Sequence, residues 1–137
     1  KYLVEEKGAD VKAANNNGWT PLHWAAYNGK LDVVKYLVEE KGADVKVDDN
    51  DGKTPLHRAA YNGKLDVVKY LVEEKGADVK DVNKGGATPL HLAAYNGKLD
   101  VVKYLENGAD VKAADINGNT PLHLSAENCE LDVVKYL

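Results

Sequence analysis

The stretch Gly18-Trp19-Thr20-Pro21-Leu22-His23-Trp24-Ala25-Ala26-Tyr27-Asn28-Gly29-Lys30-Leu31-Asp32-Val33-Val34 decides the fold. Thr20 carries the side-chain oxygen of a helix N-cap, and Pro21 follows at the first helical position, where its missing N–H costs nothing. Gly29 can take the left-handed backbone that ends a helix. A second helix then places Asp32 in its first turn, where the macrodipole favours an anion. Its residues Leu31, Val34, Leu37 and Val38 fall at helical spacing on one face, and it stops before Gly42. The local reading is helix, tight turn, helix.

Working outward, Thr-Pro-Leu-His begins at Thr20, Thr54, Thr88 and Thr120, so the copies are 34, 34 and 32 residues apart. Around each copy the same order recurs: Gly-Ala-Asp-Val-Lys, a polar stretch ending near Gly, Thr-Pro-Leu-His, a pair of small residues, Asn-Gly or its equivalent, then Leu-Asp-Val-Val-Lys-Tyr-Leu. Two helices this short cannot bury an apolar face between themselves, so successive units must stack into one continuous core. The pairs Ala25-Ala26, Ala59-Ala60 and Ala93-Ala94 suit that stacking, because small side chains let helices of neighbouring units approach closely. The expected architecture is an all-α solenoid of helix-turn-helix units joined by hairpin loops, within a single domain at 1–137. Its parts are a partial unit at 1–9, units at 10–43, 44–77 and 78–109, and a truncated unit at 110–137.

With these residues in hand, Gly-x-Thr-Pro-Leu-His followed by Ala-Ala, Asn-Gly, Asp-Val-Val-Lys and Gly-Ala-Asp-Val resembles the ankyrin repeat over nearly the whole chain. The resemblance implies an ankyrin-repeat α-solenoid with β-hairpin loops. Three features depart from that pattern. The family period is about 33 residues, whereas Val38-Glu39-Glu40-Lys41 and Val72-Glu73-Glu74-Lys75 lengthen the first two spacings and Glu106-Asn107 shortens the third. All the differences fall at the end of the second helix, which is expected to absorb them while the concave face keeps its register. Cys129 stands where other units have Gly29, Gly63 and Gly97. The chain also begins and ends inside a second helix, at Lys1-Tyr2-Leu3 and Tyr136-Leu137, with no polar capping unit, so end-to-end self-association is expected.

The bulk numbers narrow the function. Of 137 residues, 44% are hydrophobic and 29% charged, as in a soluble globular protein. Acidic side chains outnumber basic ones by 22 to 18, and no Lys/Arg block is long enough to follow a phosphate backbone, so nucleic acid and anionic membrane are poor partners. No window approaches a spanning helix and no signal peptide is legible, which gives an expected cytoplasmic or nuclear location. The lone Cys129 rules out an internal disulfide.

Catalytic chemistry has no foothold. All four histidines belong to Thr-Pro-Leu-His, one unit apart, and cannot converge at the ~2 Å ligand distances of one zinc ion. Each is better read as a ring bonding backbone between hairpin and helix. Cys129 and His123, six residues apart, point to different faces. Glu39-Glu40 and Glu73-Glu74 sit beside lysines as solvated surface. Gly85-Gly86 lacks the strand before it and the Lys-Ser/Thr after it that a phosphate loop needs. The chain reads as non-enzymatic, with no catalytic residue, metal site or cofactor.

Comparison of the units separates positions the fold requires from positions free to vary. The variable ones are the hairpin tips, with Asn16, Asn17 and Trp19, then Asn50, Asp51 and Lys53, then Lys84, Gly85 and Ala87, then Ile116, Asn117 and Asn119, and the residue after each Thr-Pro-Leu-His: Trp24, Arg58, Leu92 and Leu124. In proteins similar to this one, hairpin tips and first helices line a concave face that carries partner contacts, and the resemblance puts those contacts on these residues. Tyr27, Tyr61 and Tyr95 hold one phase in three units and extend the surface as an aromatic ladder. A tyrosine there can also serve only to cover its neighbour, and Trp24 can be a packing variant of Leu92. The function expected is a protein-protein interaction scaffold. Two other readings stand beside it. Residues 30–46 are identical to residues 64–80, as engineering toward a consensus or a recent duplication would produce, so the chain can be an engineered stability or assembly protein without a natural partner. The other is recognition of a small aromatic ligand such as a nucleotide, with Trp19 or Trp24 on the base and Lys53 or Arg58 on phosphate.

Overall fold

The computed structural model describes residues 9–137, so the partial unit expected at 1–9, with its helix end at Lys1-Tyr2-Leu3, lies outside the described residues but for Ala9. Each Thr-Pro-Leu-His opens a seven-residue helix: α1 (Pro21–Tyr27), α3 (Pro55–Tyr61), α5 (Pro89–Tyr95) and α7 (Pro121–Glu127). Each Leu-Asp-Val-Val opens the second helix of its unit: α2 (Leu31–Lys35), α4 (Leu65–Lys69), α6 (Leu99–Leu105) and α8 (Leu131–Tyr136). First helices pack on first helices and second on second, giving two layers along the stack. Among the described residues no strand forms. The expected hairpins are tight turns, each closed by a backbone bond of the kind Asn15 N–H to Trp19 C=O, at 2.9 Å.

The Thr-Pro-Leu-His motif makes a two-way cap. In the first unit the Thr20 hydroxyl accepts the His23 amide while the Thr20 amide donates to His23 Nδ1 at 3.0 Å, and the other three units repeat the arrangement. A backbone N–H can only donate, so Nδ1 is the bare nitrogen and the ring proton sits on Nε2. That proton is directed at the next unit: His23 Nε2 to the Lys53 carbonyl at 2.9 Å, His57 to Ala87 at 3.2 Å, His91 to Asn119 at 3.0 Å. All three rings are buried. Asparagines of the Asn-Gly turns add a second ladder, with Asn62, Asn96 and Asn128 each donating to the carbonyl of Tyr27, Tyr61 and Tyr95 one unit back, at 2.8 Å.

Between the layers lie Leu22, Leu56 and Leu90 from the first helices and Val34, Val67, Val68, Val101 and Val102 from the second, all without access to water. Burying a leucine of this kind is worth about 1.5–3 kcal/mol. Leu122, the same position in the last described unit, is 42% exposed.

The extra residues of the first two units are absorbed where the spacing placed them. After α2 and α4 the chain widens into π-helical turns at Tyr36–Glu40 and Tyr70–Glu74, whereas α6 runs as plain α-helix to Leu105. A π-turn takes up an inserted residue without moving the helix start, so the four first helices keep one length. This outer layer carries a ladder of its own. The hydroxyls of Tyr70, Tyr104 and Tyr136 donate to Glu39, Glu73 and Glu106 of the preceding unit, and Lys35, Lys69 and Lys103 lie over the same three rings.

Left-handed backbone ends the first-helix turns at Gly29, Gly63 and Gly97, with φ near 70°. A Cβ at Gly29 or Gly63 would also meet the next unit's Lys64 or Lys98 side chain within 2.7 Å. Cys129 takes the same conformation, with φ 58°, at a cost of about 1 kcal/mol. It lies in the last described unit, where no following lysine crowds it.

Burial pushes His23 and His57 below the ordinary histidine pKa of 6.5, against the opposing pull of the Lys53 and Ala87 carbonyls. The unfolded chain then takes up protons at a pH where the folded rings do not. Their contribution is whole above the unfolded value and is lost as pH falls below it. The urea midpoint should fall between about pH 7 and about pH 5, and fall less in His57→Gln; a midpoint flat across that window contradicts the assignment. On the outer layer, burial and then the bond to Glu73 push Tyr104 up to about 12 from 10.0. Here the contribution is whole below the unfolded value and is lost as pH rises through the folded one. Tyr70 and Tyr136 are raised as well, so phenolate absorbance should show late-titrating tyrosines, with one fewer in Tyr104→Phe.

Candidate functional site

Each hairpin tip is built on one Asn or Asp. Asn15, Asp49, Asn83 and Asp115 each use Oδ1 to accept the backbone N–H two and four residues on, at 2.9–3.0 Å. This Asx arrangement holds the turn without a strand ladder. The tips are also tied to one another, by Asn50 N–H to Asn17 C=O, Lys84 N–H to Asp51 C=O and Ile116 N–H to Gly85 C=O, each at 3.0 Å. The Asn50 side chain adds a bond to the Asn16 carbonyl.

At Asp49 the second oxygen is used as well. Oδ2 takes Arg58 Nε at 2.9 Å and Nη2 at 2.5 Å, with the Asp49 side chain at 0% and the Arg58 side chain at 12% exposure. Burial alone would raise the Asp49 carboxyl; the Lys53 amide and Arg58 outweigh it and hold the group below its usual value. Held this way, the guanidinium lies over the Trp19 ring, 4.2 Å from its centroid. Trp19 in turn touches Trp24, with ring centroids 4.4 Å apart, and meets Tyr27 edge-on at 5.5 Å. Trp24 is 47% exposed.

Of the residues singled out in the sequence, Trp19, Trp24, Tyr27, Lys53, Arg58 and Tyr61 therefore come together, around an open hollow of about 300 Å³ between the first two units. Lys53 is half-buried there. Burial first, and then the charge of Arg58, depress its ammonium pKa against the opposing effect of Asp51 and Asp49. Asn16, Asn17, Asn50 and Asp51 lie at the neighbouring exposed tips, where Asp51 Oδ2 is 3.6 Å from Arg58 Nη2. Lys84, Leu92, Tyr95 and Asn119 belong to the third and fourth units and do not line this hollow. A wider hollow, about 680 Å³, shares Trp19 and Trp24 but lies on the far side of the first unit. Pro21 and Val33 are exposed there, whereas Pro55, Pro89, Val67 and Val101 are buried by a preceding unit.

Asp49 escaped the sequence reading, which treated the tips as free to vary. The signal was the Asn or Asp at 15, 49, 83 and 115, in phase with Thr-Pro-Leu-His. Asp49→Asn keeps the backbone bonds, as Asn15 and Asn83 do, and loses only the charge on Arg58. It should cost about 1–2 kcal/mol in urea unfolding, and Asp49→Ala about 3 kcal/mol or more. An Asp49→Asn variant as stable as the parent would show that Arg58 contributes nothing through this carboxylate.

Among the described residues, no cluster of His, Cys, Asp and Glu could hold a metal ion, and no helix is long and apolar enough to cross a membrane. A family model described as Ankyrin repeats (3 copies) matches residues 1–83, 41–115 and 76–137, which together span the chain. The protein VAPYRIN-LIKE of Medicago truncatula is 52% identical over 29 residues, covering 21% of this chain and 6% of that protein. The Notch-regulated ankyrin repeat-containing proteins of Xenopus tropicalis and Xenopus laevis are each 50% identical over 32 residues, 23% of this chain and 28% of theirs. The chain thus matches only a short part of each relative. Units capped by Thr-Pro-Leu-His, bridged by its histidine and matched end to end by the family model establish that this chain belongs to the ankyrin-repeat family.

Proposed function

We propose that the chain is a non-catalytic interaction scaffold, binding a protein partner along the face formed by its hairpin tips and first helices. Ankyrin repeats generally mediate protein-protein interaction. The observation that carries the placement is Trp24, a large aromatic side chain on a first helix whose ring is half open to water and which takes no part in the buried core. Tyr61 and Tyr95 follow along the same layer, half-buried, with backbones fixed by the asparagine ladder and rings not needed for it. Rigid aromatic area of this kind is what interfaces use as anchors.

The test is capture of a protein partner by the chain and by a Trp24→Ala, Tyr61→Ala, Tyr95→Ala variant. Capture should fall at least tenfold in the variant while its thermal midpoint stays within a few degrees of the parent. Undiminished capture by a folded variant would place binding on another surface.

A further inference from the structure

We infer that the hollow between the first two units receives an aromatic side chain flanked by carboxylates, on an acidic segment of the partner. This rests on the interaction reading above and names the chemistry of its ligand. The walls are Trp19, Trp24, Tyr27, Tyr61, Lys53 and Arg58: four aromatic rings, two cations and no carboxylate. The rings suit an apolar or aromatic group, which would lie against the open Trp24 ring with edge contacts from the tyrosines. The cations decide its charge. An aromatic cage with no cation in its wall would attract an ammonium ligand, but here Lys53 and Arg58 would meet such a ligand with like charge.

The two cations are not equivalent. Arg58 is held by Asp49 on one side and lies over Trp19 on the other, so its charge is fixed in place and balanced by that carboxylate, which leaves Lys53 as the cation without an ion pair. Lys53 forms no ion pair among the described residues, although it is half-buried. The nearby carboxylates are both turned to Arg58: Asp49 is fully buried against it, and Asp51 stands at the tip, 70% exposed. A carboxylate arriving over the hollow would meet a partly desolvated ammonium that has no ion pair, Asp51 and Asp49 acting on it only at longer range, and a charge-assisted bond there would be strong.

The same geometry disfavours a nucleotide. Phosphate groups are cradled by clustered backbone N–H groups, and at this tip none remain. The amides of Asn50, Asp51, Gly52 and Lys53 donate, in order, to the Asn17 carbonyl, the Asp49 carboxylate, the Asp49 carbonyl and the Asp49 carboxylate again. An ammonium without an ion pair, beside a ring-lined hollow, matches a carboxylate next to an aromatic side chain. Beyond the hollow, Leu92 and Tyr95 continue the layer for the rest of an extended segment.

Trp19 and Trp24 are the only tryptophans, so emission reports on the hollow directly. The full chain is titrated with acetyl-Glu-Asp-Phe-Asp-Glu-amide, with its Gln/Asn counterpart, with a lysine-flanked phenylalanine peptide and with ATP. The acidic peptide should shift emission saturably, at least tenfold tighter than the neutral one. Lys53→Gln should weaken it at least fivefold, and Lys135→Gln, exposed on the second-helix layer, should leave it unchanged, each variant being checked for an unaltered thermal midpoint. Equal binding by Lys53→Gln, tighter binding by the lysine peptide, saturation by ATP alone or no emission change with any probe overturns the inference. The captured partner separates the two readings. If it is lost from the Trp24, Tyr61, Tyr95 alanine variant but neither displaced by the acidic peptide nor weakened by Lys53→Gln, the scaffold reading stands and this one fails. If the alanine variant retains it, the scaffold reading itself fails.

Discussion

The structure depends on the histidine of Thr-Pro-Leu-His. Its Nδ1 closes the cap of its own helix and its Nε2 closes the gap to the next unit, so one neutral ring supports both local and long-range order. Because the backbone amide at Nδ1 can only donate, the ring cannot take a second proton without losing that bond. Local capping and unit stacking are therefore coupled. A helix that frays releases the ring that holds the next hairpin, which is the physical basis of nearest-neighbour cooperativity in a repeat array.

This coupling divides the work between the two layers. The first helices start from a proline, end at a left-handed turn and are tied through rings, asparagines and tips, so their length cannot vary. The second helices are fixed at their start by Leu-Asp-Val-Val but only loosely at their end, and there inserted residues are taken up as π-turns. The Tyr–Glu ladder spans both forms, since Glu39 and Glu73 reach it from π-turns and Glu106 from the end of an α-helix. Variation in length is thereby kept away from the layer that carries Trp24 and the hollow.

On that layer the first two units differ in kind from the others. A single carboxylate, Asp49, organises the difference by closing its own turn with one oxygen and positioning Arg58 with the other. Arg58 then orders Trp19 beneath it, and Trp24 is left open. A hollow with cations and aromatic rings in its wall results from one substitution pattern in one unit, Asp at 49 with Arg at 58, where the next unit carries Asn83 and Leu92.

Much of this was legible in the residues. Helix starts, left-handed ends, the capping role of the histidines and the place where extra residues are absorbed all rest on bonds within a few positions, and such bonds leave a periodic mark; the stacking of units is legible from the repeat itself. The variable positions around the hollow were legible too, as residues that the repeat does not require. Asp49 was not, because an Asx turn reads as one more polar loop residue until Arg58, nine positions away, folds back onto it. Trp19 had no structural partner in the sequence; stacking of two units supplies Arg58 across from it. What the sequence by itself determined is the unit, through caps, periodicity and glycine conformations that each residue's own chemistry imposes. What only the tertiary structure decided is which variable side chains meet, since that depends on the offset between neighbouring units, and local spacing carries no record of that offset.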